Sequence, residues 1–375
     1  MQKDLVSVLD FGSSKITVVC GTKNVNDNFN IVATGECDYA GYIDGEFLEP
    51  EMLKNAIATA INNAQMNMKN KITKLYVGIP AEFCVNSIQD VNISFKSKTK
   101  LKPRVIANLF SDNEVNNYAE THTIINKSPI YYLLDGDNKL IDPVGVEANS
   151  LMVKTSFIYV ENRVIQMLNS VFVSLGLKNI EYLSSTLAEG LYLLNTQTRY
   201  KGAVLVDVGY VSTSVCSIMG DGIIDLKSFS LGGAHITSDL SEILNIPFLQ
   251  AEQLKRKLIL TLKPTAIDYY EIMLDGKLTK VPVKTANDIA LARIDMISEM
   301  IEKVIKSFSL KPINANIIYL TGGGLALLKG IKYYLNKTIG KKIEIVCPKP
   351  MQLEKPELSS VVSLLDMAIN INKIW

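Results

Sequence analysis

The chain has 375 residues, 47% of them hydrophobic and 21% charged, a globular balance that excludes wholesale disorder and leaves room for two lobes. Its 39 basic and 38 acidic residues give a formal net charge of +1, so nothing points to nucleic acid as the main partner. Five scattered cysteines (Cys20, Cys37, Cys84, Cys216, Cys347) and only two histidines (His122, His235) argue against a zinc site, a disulfide framework or a histidine-based triad.

In chain order, Leu5 to Leu9, Ile16 to Cys20 and Ile31 to Thr34 are short apolar or β-branched runs, which predict a strand meander. Pro50 to Met66 places Leu53, Ile57, Ala60 and Ile61 on one helical face, and Lys74 to Ile79 is another strand. From about 81 to 160 Asn, Ser, Thr and Lys interrupt short strand-like runs such as Ile130–Leu134 and Leu151–Ile158, which suggests a small α/β insertion. A helix (about 162–175), a strand (178–183), a helix (186–195) and a second strand meander (203–230) follow. Helical patterns at 234–244, 249–258 and Ala286–Ser307 lead to the strand Ile317–Leu320, to glycines expected to open a helix, and to a last helix over Ser359–Asn370. This order predicts α/β lobes. No apolar run approaches about 18 residues and the start lacks a signal-peptide pattern, so a reducing cytoplasm is the expected compartment.

The informative feature is a weak internal repeat. Val8-Leu9-Asp10-Phe11-Gly12-Ser13-Ser14-Lys15 resembles Leu205-Val206-Asp207-Val208-Gly209-Tyr210-Val211-Ser212-Thr213. In each, an apolar strand ends in Asp, then Gly, then hydroxyl residues. Glycine permits the tight turn and successive backbone N–H groups can line an anion-binding concavity. Each Asp could hold a divalent cation through water, because magnesium keeps several of its waters. One such turn is equally well a plain β-turn. A third segment, Ile317-Ile318-Tyr319-Leu320-Thr321-Gly322-Gly323-Gly324, is a strand running into three glycines, where backbone can approach a ligand closely and a following helix would favour an anion. Phe11 makes the first turn spell Asp-Phe-Gly, but the other protein-kinase motifs are absent.

Three turns in this order resemble the phosphate 1, phosphate 2 and adenosine loops of the actin, Hsp70 and sugar-kinase superfamily. Tyr131-Tyr132-Leu133-Leu134-Asp135-Gly136 with Asp142-Pro143, and Gly232-Gly233-Ala234-His235-Ile236-Thr237-Ser238-Asp239, are similar to segments of the FtsA family of bacterial cell-division actins. The resemblance runs from about residue 5 to 372. It implies an actin-like two-lobed fold with ribonuclease-H-like sheets and an FtsA-type alternative small subdomain. The expected division is a first-lobe core at 1–80 and 161–183 and an inserted subdomain at 81–160. The second-lobe core would take 184–235 and 305–375, with helix 359–372 packed back on the first lobe, and a small subdomain 236–304. It implies ATP and Mg²⁺ as ligands: Asp10 and Asp207 toward the metal through water; Gly12, Ser13, Ser14, Lys15, Gly209, Ser212 and Thr213 toward phosphates; Glu252, Lys255, Gly322, Gly323 and Gly324 toward adenosine. The implied partners are copies of itself and the C-terminal tail of the tubulin-like FtsZ, with Arg293 as a receptor residue. Membrane attachment would come through a C-terminal helix not seen before Trp375, or through a partner.

The departures fall on the chemistry. Tyr210 and Val211 stand where the family's second phosphate loop has glycines, and a β-branched residue is costly wherever φ must be positive. Ser185 replaces the carboxylate expected just before Thr186-Leu187-Ala188, so hydrolysis should be weak or absent, and Ile259 replaces a small residue near the adenine. His235 reads as structural. Lys15 can equally be a solvated turn lysine, and Glu252 with Lys255 a surface i,i+3 pair. Ile371, Ile374 and Trp375 fit core packing better than a membrane contact. A PilM-like pilus scaffold and a small-molecule kinase of the same superfamily stand as alternatives.

Overall fold

The computed structural model describes residues 5–374 except 25–28, 40, 44, 48, 67, 69–70, 113–119, 310–315 and 350–352. Two five-stranded sheets share one topology. In the first the order is Asn179–Ser184, Lys74–Ile79, Leu5–Phe11, Lys15–Lys23, Phe29–Asp38. In the second it is Lys342–Ile345, Ile317–Thr321, Ala203–Val208, Thr213–Met219, Gly222–Phe229. Each begins with an antiparallel meander and adds two parallel strands beside its first strand. The registers correspond: Asp10 pairs with Thr17 across its hairpin and lies beside Gly78, while Asp207 pairs with Ser214 and lies beside Thr321. The sequence repeat is thus a structural repeat.

Strand alternation divides the second sheet between two cores. Ala203, Leu205, Cys216 and Ile218 join the core of the first lobe. Val204, Val206, Val208 and Val215 face the helices Gly233–Leu244 and Val283–Lys306, against Ile236, Leu240, Ile294 and Ile297. The last helix, Ser359–Ile374, buries Val361, Val362, Leu364 and Leu365 in the first core, and Ile371 is partly buried there, whereas Trp375 lies outside the described residues.

Two expectations on local structure need correction, and two strand elements were not anticipated. The glycines 322–324 do not open a helix: turns occupy 323–327 and the helix starts at Ile331. The 81–160 region holds long strands, Cys84–Lys100, His122–Leu134 and Glu147–Glu161, in an antiparallel sheet under the helix Pro103–Asp112. Its strands look broken in sequence because one face is solvated, so polar residues alternate with the core set Val91, Tyr132, Leu134, Leu151 and Val153. A hairpin, Tyr269–Leu274 with Lys277–Pro282, has no counterpart in the sequence reading, and neither does the edge strand Lys342–Ile345. The long sheet is joined to the second lobe's edge strand. Asn86 donates to Ile224 O at 2.8 Å, Leu226 N donates to Asn86 Oδ1 at 3.2 Å, and Ser156 donates to Ile223 O at 2.6 Å.

Candidate nucleotide site

The two hairpin turns and the glycine turn open on one cleft of about 830 Å³ between the lobes. Of the residues expected at the ligand, Asp10, Gly12, Ser13, Ser14, Lys15, Asp207, Gly209, Ser212, Glu252, Lys255, Gly322, Gly323 and Gly324 all line it. Thr213 is not among its lining residues; it is fully buried and its hydroxyl donates to Leu231 O at 2.6 Å. Arg293 lies elsewhere, on the long helix of the second lobe, clasping Asp239 through two hydrogen bonds of 2.6 and 2.7 Å.

Backbone hydrogen bonds tie the second turn to the start of the helix Gly233–Leu244 and to the third turn. Gly233 N donates to Gly209 O at 2.9 Å, Ala234 N to Tyr210 O at 2.6 Å, and Gly324 N to Val208 O at 2.7 Å. The space left is glycine-sized. A Cβ at Gly322, where φ is +88°, would stand 1.9 Å from Asp207 Oδ1, and one at Gly324 would stand 2.2 Å from Gly209 O. At Gly323 the nearest atom would be Glu357 Cβ at 3.0 Å, a milder restriction. The second loop accommodates Tyr210 and Val211 without left-handed backbone. Neither Tyr210 nor Val211 takes a positive φ, Gly209 N closes the turn on Ser212 O at 2.8 Å, and Val211 N donates to Ser13 Oγ of the first loop at 3.1 Å. The two phosphate-type loops are therefore bonded to each other across the cleft mouth.

The carboxylates differ in their surroundings. Asp10 Oδ1 accepts from Ser360 at 2.7 Å and from Ser185 at 3.4 Å. Burial nevertheless pushes its carboxyl up to about 6, against those two donors and the charge of Lys15. Asp207 Oδ1 is buried without a hydrogen-bond partner, and burial, with the nearby charge of Asp10, raises that carboxyl to about 7. Sequence reasoning missed Glu189, which lines the same cleft, is 2% exposed, and has an unpartnered Oε1. Burial, Asp207 and Asp10 raise it well above the usual carboxylate range. The available signal was a lone acid within the apolar helix Ser185–Leu193. Ser360, on the last helix, was missed as well.

A hydrated divalent cation fits this donor set: acidic oxygens face one space, and one Asp oxygen has no other partner. Among the described residues no three acidic, histidine or cysteine side chains are grouped so as to hold a bare metal ion, so water would have to intervene.

At the opposite wall, Glu252 and Lys255 form a buried network. Lys255 Nζ contacts Glu252 Oε2 at 2.7 Å and donates to Gly233 O at 3.0 Å, while Thr237 donates to Glu252 Oε2 at 2.6 Å. Burial alone would raise the Glu252 carboxyl, but Lys255, Thr237 and Arg256 bring it below its usual value. Lys255 is 5% exposed, so the pair is an organising strut rather than a solvated one. Lys15 reaches Glu36 Oε1 at 2.7 Å from the cleft's rim. His235 Nδ1 accepts from Gly232 N at 3.1 Å, a structural cap at the start of helix Gly233–Leu244. Ile259 N donates to Tyr270 Oη at 2.9 Å, and Ile259 is not among the cleft's lining residues.

The sequence model of the family described as "Cell division protein FtsA" matches residues 204–363. A cell division protein FtsA of Staphylococcus epidermidis is 23% identical over 379 residues, covering 100% of this chain and 81% of that protein. The chain is thus similar to the FtsA family along its length, while the family model matches less than half of it. Among solved structures it is similar to the PilM–PilN type IV pilus biogenesis complex, with a TM-score of 0.64 at 16% identity and 98% of each chain covered. It is also similar to MreB 5 of Spiroplasma citri bound to AMPPNP, with a TM-score of 0.60 at 12% identity, covering 100% of this chain and 98% of that one. These likenesses show the actin-like two-lobed fold expected from the sequence. The match to the FtsA family falls on the second lobe, from the strand bearing Asp207 to the last helix, and therefore includes two of the three cleft turns. Among the described residues no helix is long and apolar enough to cross a membrane.

Proposed function

We propose that this chain is a divergent FtsA, an ATP-binding scaffold of bacterial cell division that hydrolyses ATP slowly or not at all. The observation that carries the nucleotide reading is the single cleft in which both Asp-Gly turns and the glycine turn converge around acidic groups. Asp10 and Asp207 would hold the waters of Mg²⁺, which neutralises phosphate charge when bound. Backbone amides of Gly12–Ser14 and of Gly209–Thr213, with the Ser13 and Ser212 hydroxyls and the Lys15 ammonium, would face the phosphates. The Glu252–Lys255 strut and Gly322–Gly324 would shape the nucleoside end. An MreB of the same fold bound to AMPPNP supports nucleotide binding by analogy.

Slow turnover follows from position 185. Its hydroxyl is turned to Asp10, and a serine cannot draw a proton from water as a carboxylate does. Positioning and activating the water is commonly worth about 10²–10⁴ in rate, so steady-state turnover should remain below about 1 s⁻¹. Calorimetric titration with ATP and Mg²⁺ tests the binding claim: saturable one-site binding is expected, and its absence overturns the reading. The family resemblance further supports self-assembly and capture of the FtsZ tail, with work at the division site. A PilM-like role has only the likeness of fold in its favour.

A further inference from the structure

We infer that Glu189 is a third carboxylate of the cleft's divalent-cation site, beside Asp10 and Asp207. This deepens the nucleotide reading above and rests on it.

The helix Ser185–Leu193 starts at the end of the strand Asn179–Ser184, with Ser184 Oγ accepting from Leu187 N at 3.3 Å to fix its first turn. Residues 185 and 189 are four apart, so they share a face about 6 Å apart along the axis. Side chains on a helix lean toward its N-terminus, so a long side chain at 189 points back over the turn that carries Ser185. Ser185 itself reaches Asp10 at 3.4 Å. A glutamate at 189 is thus directed toward the end of the helix where Ser185 meets Asp10.

Its surroundings point to a ligand. The carboxyl is enclosed by protein, lines the cleft, and leaves Oε1 without a hydrogen-bond partner; Asp207 Oδ1 shares that condition. Lys15, the lysine on the adjoining loop, already has Glu36 as its partner. The bland alternative is a protonated glutamate filling an apolar helix. It explains Glu189 alone, but not why a second buried carboxylate oxygen facing the same space is also unpartnered. A hydrated dication among Asp10, Asp207 and Glu189 accounts for both.

Once ionised, these three groups repel a metal-free nucleotide, so at a pH where they are charged ATP binding should be strongly magnesium-dependent. The test measures the ATP dissociation constant by calorimetry in excess Mg²⁺ and in EDTA. For the wild type the ratio of the two should be large. Glu189→Gln should narrow that ratio at least about tenfold, partly by improving affinity in EDTA, and the double variant Ser185→Glu with Glu189→Gln should restore it. Glu189→Asp, which keeps the charge but shortens the reach, should also narrow the ratio and serves if the glutamine variant does not fold. A ratio in Glu189→Gln within about twofold of wild type overturns the inference while the nucleotide reading stands. Absence of ATP binding by the wild type overturns both.

Discussion

The two hairpins that carry Asp10 and Asp207 are repeats in sequence, topology and register, yet they present their carboxylates differently. Asp10 is held by Ser360 from the last helix and by Ser185 from the helix between the sheets. Asp207 lies beside Thr321 at the start of the glycine turn and leaves Oδ1 without a partner. The first loop keeps its small residues, while the second has Tyr210 and Val211 and leans on Ser13 through Val211 N. One copy is thus braced by the protein and the other keeps a buried oxygen without a partner. In a duplicated fold the repeat fixes where the carboxylates stand, but non-repeated helices decide which of them is satisfied.

The sharpest way to break this contrast is at the turn beside Asp207. Gly322→Ala places a Cβ against Asp207 Oδ1 and backbone at a left-handed φ, so ATP binding should fall by more than about a hundredfold, or about 2.8 kcal/mol. Gly323→Ala, with only Glu357 Cβ nearby, should cost much less. Calorimetry on the pair checks the order. Equal effects would mean that the glycine turn does not shape the site as described.

Next come the carboxylates themselves. Asp207→Ala should remove most of the magnesium-dependent gain in ATP affinity, about ten- to a hundredfold, or about 1.4–2.8 kcal/mol. Ser360→Ala, which withdraws a donor from Asp10, should change it by a few-fold at most. If Ser360→Ala proves the more damaging, bracing of Asp10 matters more than completion of Asp207.

A titration of stability sharpens the same contrast. Asp10 and Asp207 have folded-state values of about 6 and about 7, above the 3.8 of an unperturbed aspartate. Between about pH 4 and 7 these two groups therefore bind more protons in the folded protein than in the unfolded one, and their contribution to stability falls as pH rises through that window. Glu189, raised as well, adds to the slope, while Lys15 opposes it at Asp10. The ligand-free protein should melt at a lower temperature at pH 7.5 than at pH 5, and excess Mg²⁺ with ATP should remove the difference. A melting temperature that rises with pH without ligand would show that these carboxyls are not raised.

Much of this was readable beforehand. Strand–Asp–Gly–hydroxyl–strand is a local pattern, and each turn forms from its own residues, so Asp10, Asp207 and the glycines could be placed from sequence. Glu189 and Ser360 could not, since they reach the cleft from helices brought there by packing, and a lone Glu in Leu187-Ala188-Glu189-Gly190 carries no periodic signal. The long sheet of residues 84–161 was obscured for another reason. Its polar face breaks up the hydrophobic runs that reveal buried strands.

Smaller effects are expected at the departures. Tyr210→Gly should leave ATP affinity within about threefold of wild type, because the loop needs no left-handed residue at 210 and its ring lies beside the already paired Lys255. Arg293→Glu should abolish binding of an FtsZ tail peptide if Arg293 is its receptor, and should leave ATP binding intact. It also sets two carboxylates together where Arg293 and Asp239 now pair at 21% and 22% exposure, so Asp239→Asn is the needed control for a local loss of about 1–2 kcal/mol. If Asp239→Asn reduces peptide binding as much as Arg293→Glu does, the pair shapes the subdomain and Arg293 is no receptor.

The most direct measurement is the structure of the chain crystallised with AMPPNP and Mg²⁺. The account predicts phosphates within hydrogen-bond distance of backbone amides in both Gly12–Ser14 and Gly209–Thr213, and a hydrated ion bridging them to Asp10 and Asp207. A nucleotide bound outside this cleft, or phosphates touching one loop alone with no ion at Asp207, would contradict it.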